Sequence, residues 1–112
     1  MIRLFLKDQI VVSQKHMEEL IEALGEKSSS ITPMPGYTHM QKAMPTTVGI
    51  WFASYHDALL DQMTFFPPLA SVIDQSPLGS AAGFGIENFP NDRALSAELM
   101  GFSKIQENPL YC

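Results

Sequence analysis

Leu6, Ile10, Ser13, Met17, Leu20 and Leu24 follow one another at alternating steps of four and three residues. That spacing lines side chains along one stripe of an α-helix, the seam used where long helices pack together. Lys7, Lys15, Glu18, Glu19 and Glu22 fall mostly off the stripe, as a solvated flank should. Gly25 supplies a C-terminal stop, so the pattern predicts a helix over about 2–25. At 1.5 Å per residue it would run roughly 35 Å, the width of a small domain. Such a helix requires long partners.

The next stretch, 26–46, reads as a loop because it is polar and then punctuated by Pro33, Pro35 and Pro45. A second helix is expected over 47–64, with Thr46 or Thr47 as N-cap. Gly49 and Ala53 stand one turn apart there and would let a neighbouring helix approach, while Trp51, Tyr55 and Leu59 form a second apolar stripe. Pro67 and Pro68 predict a kink or break near Phe65–Phe66, since an interior proline costs about 3 kcal/mol or more. A short helical piece over 69–74, a glycine-rich loop over 75–89 and a last helix over 90–100 ended by Gly101 complete the reading. No stretch alternates strictly over four residues and no internal repeat occurs. The expected fold is all-α.

With 112 residues the chain has the length of one small domain. A formal charge of −5 and scattered Lys and Arg argue against nucleic-acid binding. The single cysteine, Cys112, can form no intrachain disulfide, which fits a reducing compartment. No apolar run approaches the ~20 residues of a membrane span. The opening segment carries Arg3, Lys7 and Asp8 and lacks a cleavage site, so it is not read as a signal peptide. A cytoplasmic protein without a membrane partner is the expectation.

Three histidines are spread along the chain without metal-ligand spacing, so no metal site is expected. The run "GSAAGFG" lacks the lysine and hydroxyl of a phosphate loop. Its glycines suit positive φ or close backbone approach. His39 is the remaining chemical candidate. A lone histidine often does no more than bridge a loop. Here it stands between Thr38 and Gln41 in a proline-stiffened segment, and rigid backbone lowers the entropy of ordering a site. Imidazole is also the side chain whose unperturbed pKa lies nearest neutrality.

The stretch "PGYTHMQKAMPTTVGIWFASY", residues 35–55, resembles the second signature region of the argininosuccinate lyases, PGYTHxQxAxPxTxGxWxxxY. Three further stretches agree in order: "RLFLKDQI" with the helix after the family's first region, "SPLGSAAGFG" with its SPLGSGALAG loop, and "FPNDRALSAELMGF" with its FPxDRxxxAExLGF helix. Within the fumarase and aspartase superfamily, the Gly-Tyr-Thr-His version favours this family over fumarases (GRTHLQ) and adenylosuccinate lyases (RTHxQ). The resemblance covers essentially the whole chain. It implies a cofactor-free lyase that cleaves argininosuccinate to arginine and fumarate by β-elimination. It also implies a homotetramer built on a shared bundle of long helices. Thr38 would bind substrate in a neighbouring subunit's site, and His39 would belong to the acid–base machinery. Gln41 would help to hold loop or substrate, and Ser80 would lie near the site or serve packing.

Three departures from the family pattern matter. The first region, HTGRSRNDQ, and the serine loop, GSSxMPxKxNP, do not occur in these 112 residues. The residues therefore read as the central fragment of a lyase, with one of three catalytic segments and little turnover alone. The alternative is a non-enzymatic, self-associating helical scaffold that retains the fold. Pro67–Pro68 also interrupts a helix that in the family runs through to the SPLGS loop.

Overall fold

The computed structural model describes residues 1–81, 85, 88 and 90–112. In chain order these form α1 (Ile2–Ser28), β1 (Pro33–Thr38), β2 (Gln41–Thr47), α2 (Val48–Met63), α3 (Phe66–Ile73), β3 (Gln75–Ser76), α4 (Arg93–Leu99) and β4 (Lys104–Ile105). Helix dominates, as the all-α expectation requires. The chain divides into two compact units, one of Met1–Ile10 with Pro67–Cys112, the other of Val11–Phe66. Among the described residues, no helix is long and apolar enough to cross a membrane.

In the Val11–Phe66 unit, α1 passes through Gly25 and ends three residues later. The Ser28 and Ser29 hydroxyls donate to the Gly25 and Glu26 carbonyls at 2.6 and 2.8 Å. These bonds satisfy carbonyls that a helix end leaves without partners. Gly25 serves close packing instead: a β-carbon there would lie 3.3 Å from His56 Cδ2 on α2. Ile21 is buried on this part of α1, with Gln14, Met17 and Leu24 half-buried, whereas Ser13 and Leu20 of the expected stripe are exposed.

Residues 33–46, expected within a loop, form with Thr47 an antiparallel β-hairpin. The Val48 N–H donates to Thr32 O at 2.9 Å, which sets the phase of the ladder. Bonded and non-bonded pairs alternate, so Pro33↔Thr47 and Pro35↔Pro45 fall on non-bonded positions. The ladder thus asks no donor of any of its three prolines. Beyond Pro35 the register shifts, and Gly36 stands opposite both Ala43 and Met44. This is a β-bulge, and a β-carbon on Gly36 would reach 2.5 Å from Met44 O. Sequence patterning missed the hairpin because strand recognition rests on one buried face. Here most residues of both strands are exposed.

Helix α2 starts where expected, with Thr47 Oγ1 accepting from Ile50 N at 3.2 Å. It stops at the C-cap Thr64, and α3 begins at Phe66. Pro67 and Pro68 lie in the first turn of α3, where no helical acceptor exists for the N–H they lack. The helix is thus interrupted at Thr64–Phe65, next to the expected position.

In the other unit, α4 begins at Arg93 rather than near Pro90, because Asp92 is the N-cap and accepts from Leu95 N at 2.9 Å. Its end is closed by Gly101 (φ +75), with Gly101 N donating to Glu98 O and Phe102 N to Ala97 O, both at 2.9 Å. These two bonds make a Schellman cap, and they bring Ala97 and Phe102 into the buried apolar set. The expected loop over 75–89 contains β3, which pairs in parallel with β4, and lies partly outside the described residues. On α1, Arg3 and Lys7 turn inward and Leu6 stays exposed. Arg3 donates to Val72 O at 3.1 Å and to Gln106 Oε1 at 2.8 Å, and Lys7 bonds both Asp74 and Gly101 O. The inward face is thus selected by carbonyls and a carboxylate that require donors, not by apolarity alone.

Candidate active site

Thr38 closes β1 and Gln41 opens β2, opposite one another in the ladder. The two residues between them, His39 and Met40, have φ of +50 and +63. Positive φ at both central positions is the signature of a type I′ turn, whose twist matches that of the flanking strands. Glycine or asparagine is the usual occupant. A bulky residue held left-handed costs of order 1 kcal/mol or more, and Met40 gains nothing from burial, being 93% exposed. Thr38, His39 and Gln41 are exposed beside it. The hairpin therefore presents three of the expected site residues together on a tight tip, with stiffness supplied by prolines, the Gly36 bulge and the ladder.

Ser80, the fourth expected residue, belongs to the other unit. It ends a β-turn over 77–80, in which Ser80 N donates to Pro77 O at 3.3 Å and Gly79 has φ +80. Ser80 is half-buried on the wall of a groove of about 710 Å³ that Ile2, Leu78, Met100 and Phe102 also line. Ala81, immediately after it, is a further non-glycine residue at positive φ, +60.

Sequence reasoning missed what holds this turn. Arg93 donates from Nε to Leu78 O at 3.2 Å and from Nη2 to Gln106 O at 2.7 Å. Asn91 Nδ2 donates to Gly79 O at 3.0 Å. Ser76 and Gln106, each 1% exposed, are the most buried polar side chains described, and Gln106 N donates to Ser76 O at 2.8 Å. Among the described residues, every buried side-chain polar atom has a partner. The available signal was the "NDR" run at the start of the last helix, which helix rules treat only as a cap.

Both turns lie within stretches that a known protein family shares. The family model described as "Lyase" matches residues 1–110. The chain belongs to this lyase family. One curated relative, the argininosuccinate lyase of Bacteroides fragilis, is 38% identical over 112 residues, which cover 98% of this chain and 25% of that protein. The argininosuccinate lyase of Sorangium cellulosum is 47% identical over 79 residues, covering 70% of this chain and 18% of its own length. The chain spans about a quarter of the length of the curated relatives that match nearly all of it. Among solved lyase structures, EDDS lyase in complex with formate superposes with a TM-score of 0.86 at 28% identity, covering 96% of this chain and 22% of that one. The fumarate lyase:delta crystallin of Brucella melitensis, bound to cobalt, matches with a TM-score of 0.70 at 24% identity and supports the fold alone. The mostly helical chain thus corresponds to part of the helical bundle domain of this superfamily.

Proposed function

We propose that these residues supply one part of the active site of an argininosuccinate lyase-like enzyme. The observation that carries this reading is the placement of Thr38 and His39 on a left-handed hairpin tip, within a stretch that matches relatives bearing that name. The reaction is a β-elimination. A base removes the proton on the carbon next to a carboxylate, the carbanion is held as a dianion, and the bond to the guanidino nitrogen breaks as that nitrogen takes up a proton, giving fumarate and arginine. His39 moves a proton itself or supports the group that does. Thr38 holds substrate, while Gln41 steadies the tip or the substrate, and Ser80 lies by the site. No cofactor is required.

The remaining groups come from lyase segments outside these residues, and the hairpin tip serves a site shared with another subunit. A polypeptide of these 112 residues alone releases no fumarate from argininosuccinate, because catalytic groups that act as a unit fail together. Mixing it with a chain that carries the GRSRNDQ region and the serine loop restores turnover, and His39→Asn abolishes the restored rate. Association without turnover by the unaltered chain would overturn the lyase reading in favour of a scaffold. Turnover of EDDS in place of argininosuccinate would keep the chemistry and change the substrate.

A further inference from the structure

The turn over 77–80 is held from outside itself at several points. Leu78 N donates to Ser76 Oγ at 3.3 Å, Leu78 O accepts from Arg93, and Gly79 O accepts from Asn91. The donors, Asn91 just before α4 and Arg93 at its first position, lie twelve and fifteen residues away in sequence. Arg93 bridges two carbonyls with a single guanidinium, tying Leu78 to Gln106. Gln106 is in turn fixed by Arg3 at 2.8 Å and by its own donation to Tyr111 O at 2.5 Å. The Asn91 amide also occupies the space that a β-carbon on Gly79 would need. The turn and the start of α4 are therefore built to fit one another.

Two features exceed what a surface turn requires. The residue that follows, Ala81, is held at φ +60, a conformation that costs a non-glycine residue free energy and persists only where its surroundings over-determine it. The anchor is also among the most buried polar material of the described residues, Ser76 and Gln106. A planar five-donor fork on two carbonyls holds geometry as lysine, a single rotatable ammonium, does not.

We infer that Asn91 and Arg93 are positioning residues: they fix the Pro77–Ser80 turn and, through it, the direction of the Ser80 hydroxyl. This deepens the proposed function and rests on it for the statement that Ser80 lies by the substrate. The clamp itself stands on the geometry alone. Arg93→Lys removes the fork and keeps the charge. Asn91→Asp keeps the shape and replaces the donor by an acceptor facing a carbonyl oxygen.

The first measurement is amide hydrogen exchange on the 112-residue chain. The expected result is faster exchange, by roughly tenfold or more, at Leu78 and Ser80 in both variants, as local opening no longer meets the clamp. Exchange at Ser96 and Met100 within and just after α4 stays at its original rate. Unchanged exchange at Leu78 and Ser80 overturns the inference. The second measurement is the turnover restored by the complementing lyase chain. Both variants are expected to lose roughly tenfold or more in kcat with KM little changed, the mark of misplaced rather than missing binding groups. Full kcat in both variants overturns the positioning role even where exchange accelerates. If the unaltered chain restores no turnover, the lyase reading falls, and the exchange result then decides by itself whether the clamp exists.

Discussion

The Gly49 N–H donates to the carbonyl oxygen of Ser30 at 3.0 Å, joining the first turn of α2 to the segment that follows α1. The contact is close enough that a β-carbon on Gly49 would run into the carbonyl oxygens of Ser30 and Ser28. Backbone atoms cannot rotate away as a side chain can. Gly49→Ala is expected to lower stability by about 2–3 kcal/mol through forced backbone displacement, even though alanine is the better helix former. Urea unfolding followed by circular dichroism measures it. A loss below the usual effect of a surface substitution would show that the two segments separate easily.

The hairpin tip makes the opposite prediction. Met40 is held at φ +63 with almost no burial, so Met40→Gly should stabilise the Val11–Phe66 unit by about 1 kcal/mol. His39→Asn should leave stability within about 0.5 kcal/mol of the original, because asparagine tolerates the left-handed region. The same urea experiment reports both. This separation matters for function, since it makes His39→Asn a test of the imidazole rather than of the fold.

Asp74 provides a pH signature. Its hydrogen bond from Lys7 holds its carboxyl below the usual carboxylate range, and bonds from Ser103 act in the same direction against the opposing effect of burial. A group whose folded pKa is depressed contributes stability above its unfolded pKa, about 3.9 for aspartate. That contribution is lost as pH falls through the folded value. Asp74→Asn should therefore be less stable than the original at neutral pH, with the two curves converging at pH values below the folded pKa. Lys7→Met should flatten the same acid limb. Urea midpoints across the acid range, compared among the three proteins, show whether the slope follows this pair.

Trp51 lies against Tyr55 edge-to-face at 6.1 Å, yet each is about half exposed, and Ile50 beside them is 63% exposed. Only Ile10, Ile21, Ala97 and Phe102 form the buried apolar set among the described residues. A chain with so much uncovered apolar surface is expected to associate. Light scattering at micromolar concentration should give a mass above that of one chain, and Trp51→Glu should reduce it. A monomeric mass for the unaltered chain would sink both this prediction and the shared-site reading.

Wherever the controlling interactions lie within a few residues, the sequence was sufficient. A threonine cap at 46 or 47, an interruption ahead of Pro67–Pro68 and Gly101 as a stop each follow from the residue's own backbone limits or one nearby bond. The long first helix follows from spacing, and the order of four motifs was enough to name the family. Tertiary structure decided the rest. Arg3 faces inward because Val72 O, 69 residues away, and Gln106, 103 residues away, require its donors. Gly25 is passed over as a stop because serine hydroxyls beyond it satisfy the helix end and α2 needs the space. The proline-rich stretch becomes a hairpin because ladder phase, set by Thr32 and Val48, places every proline where no donor is missed. Periodicity records what a residue prefers next to its neighbours. It does not record which distant carbonyl will lack a partner, and that requirement chose the face of α1 and the clamp on the turn before Ser80.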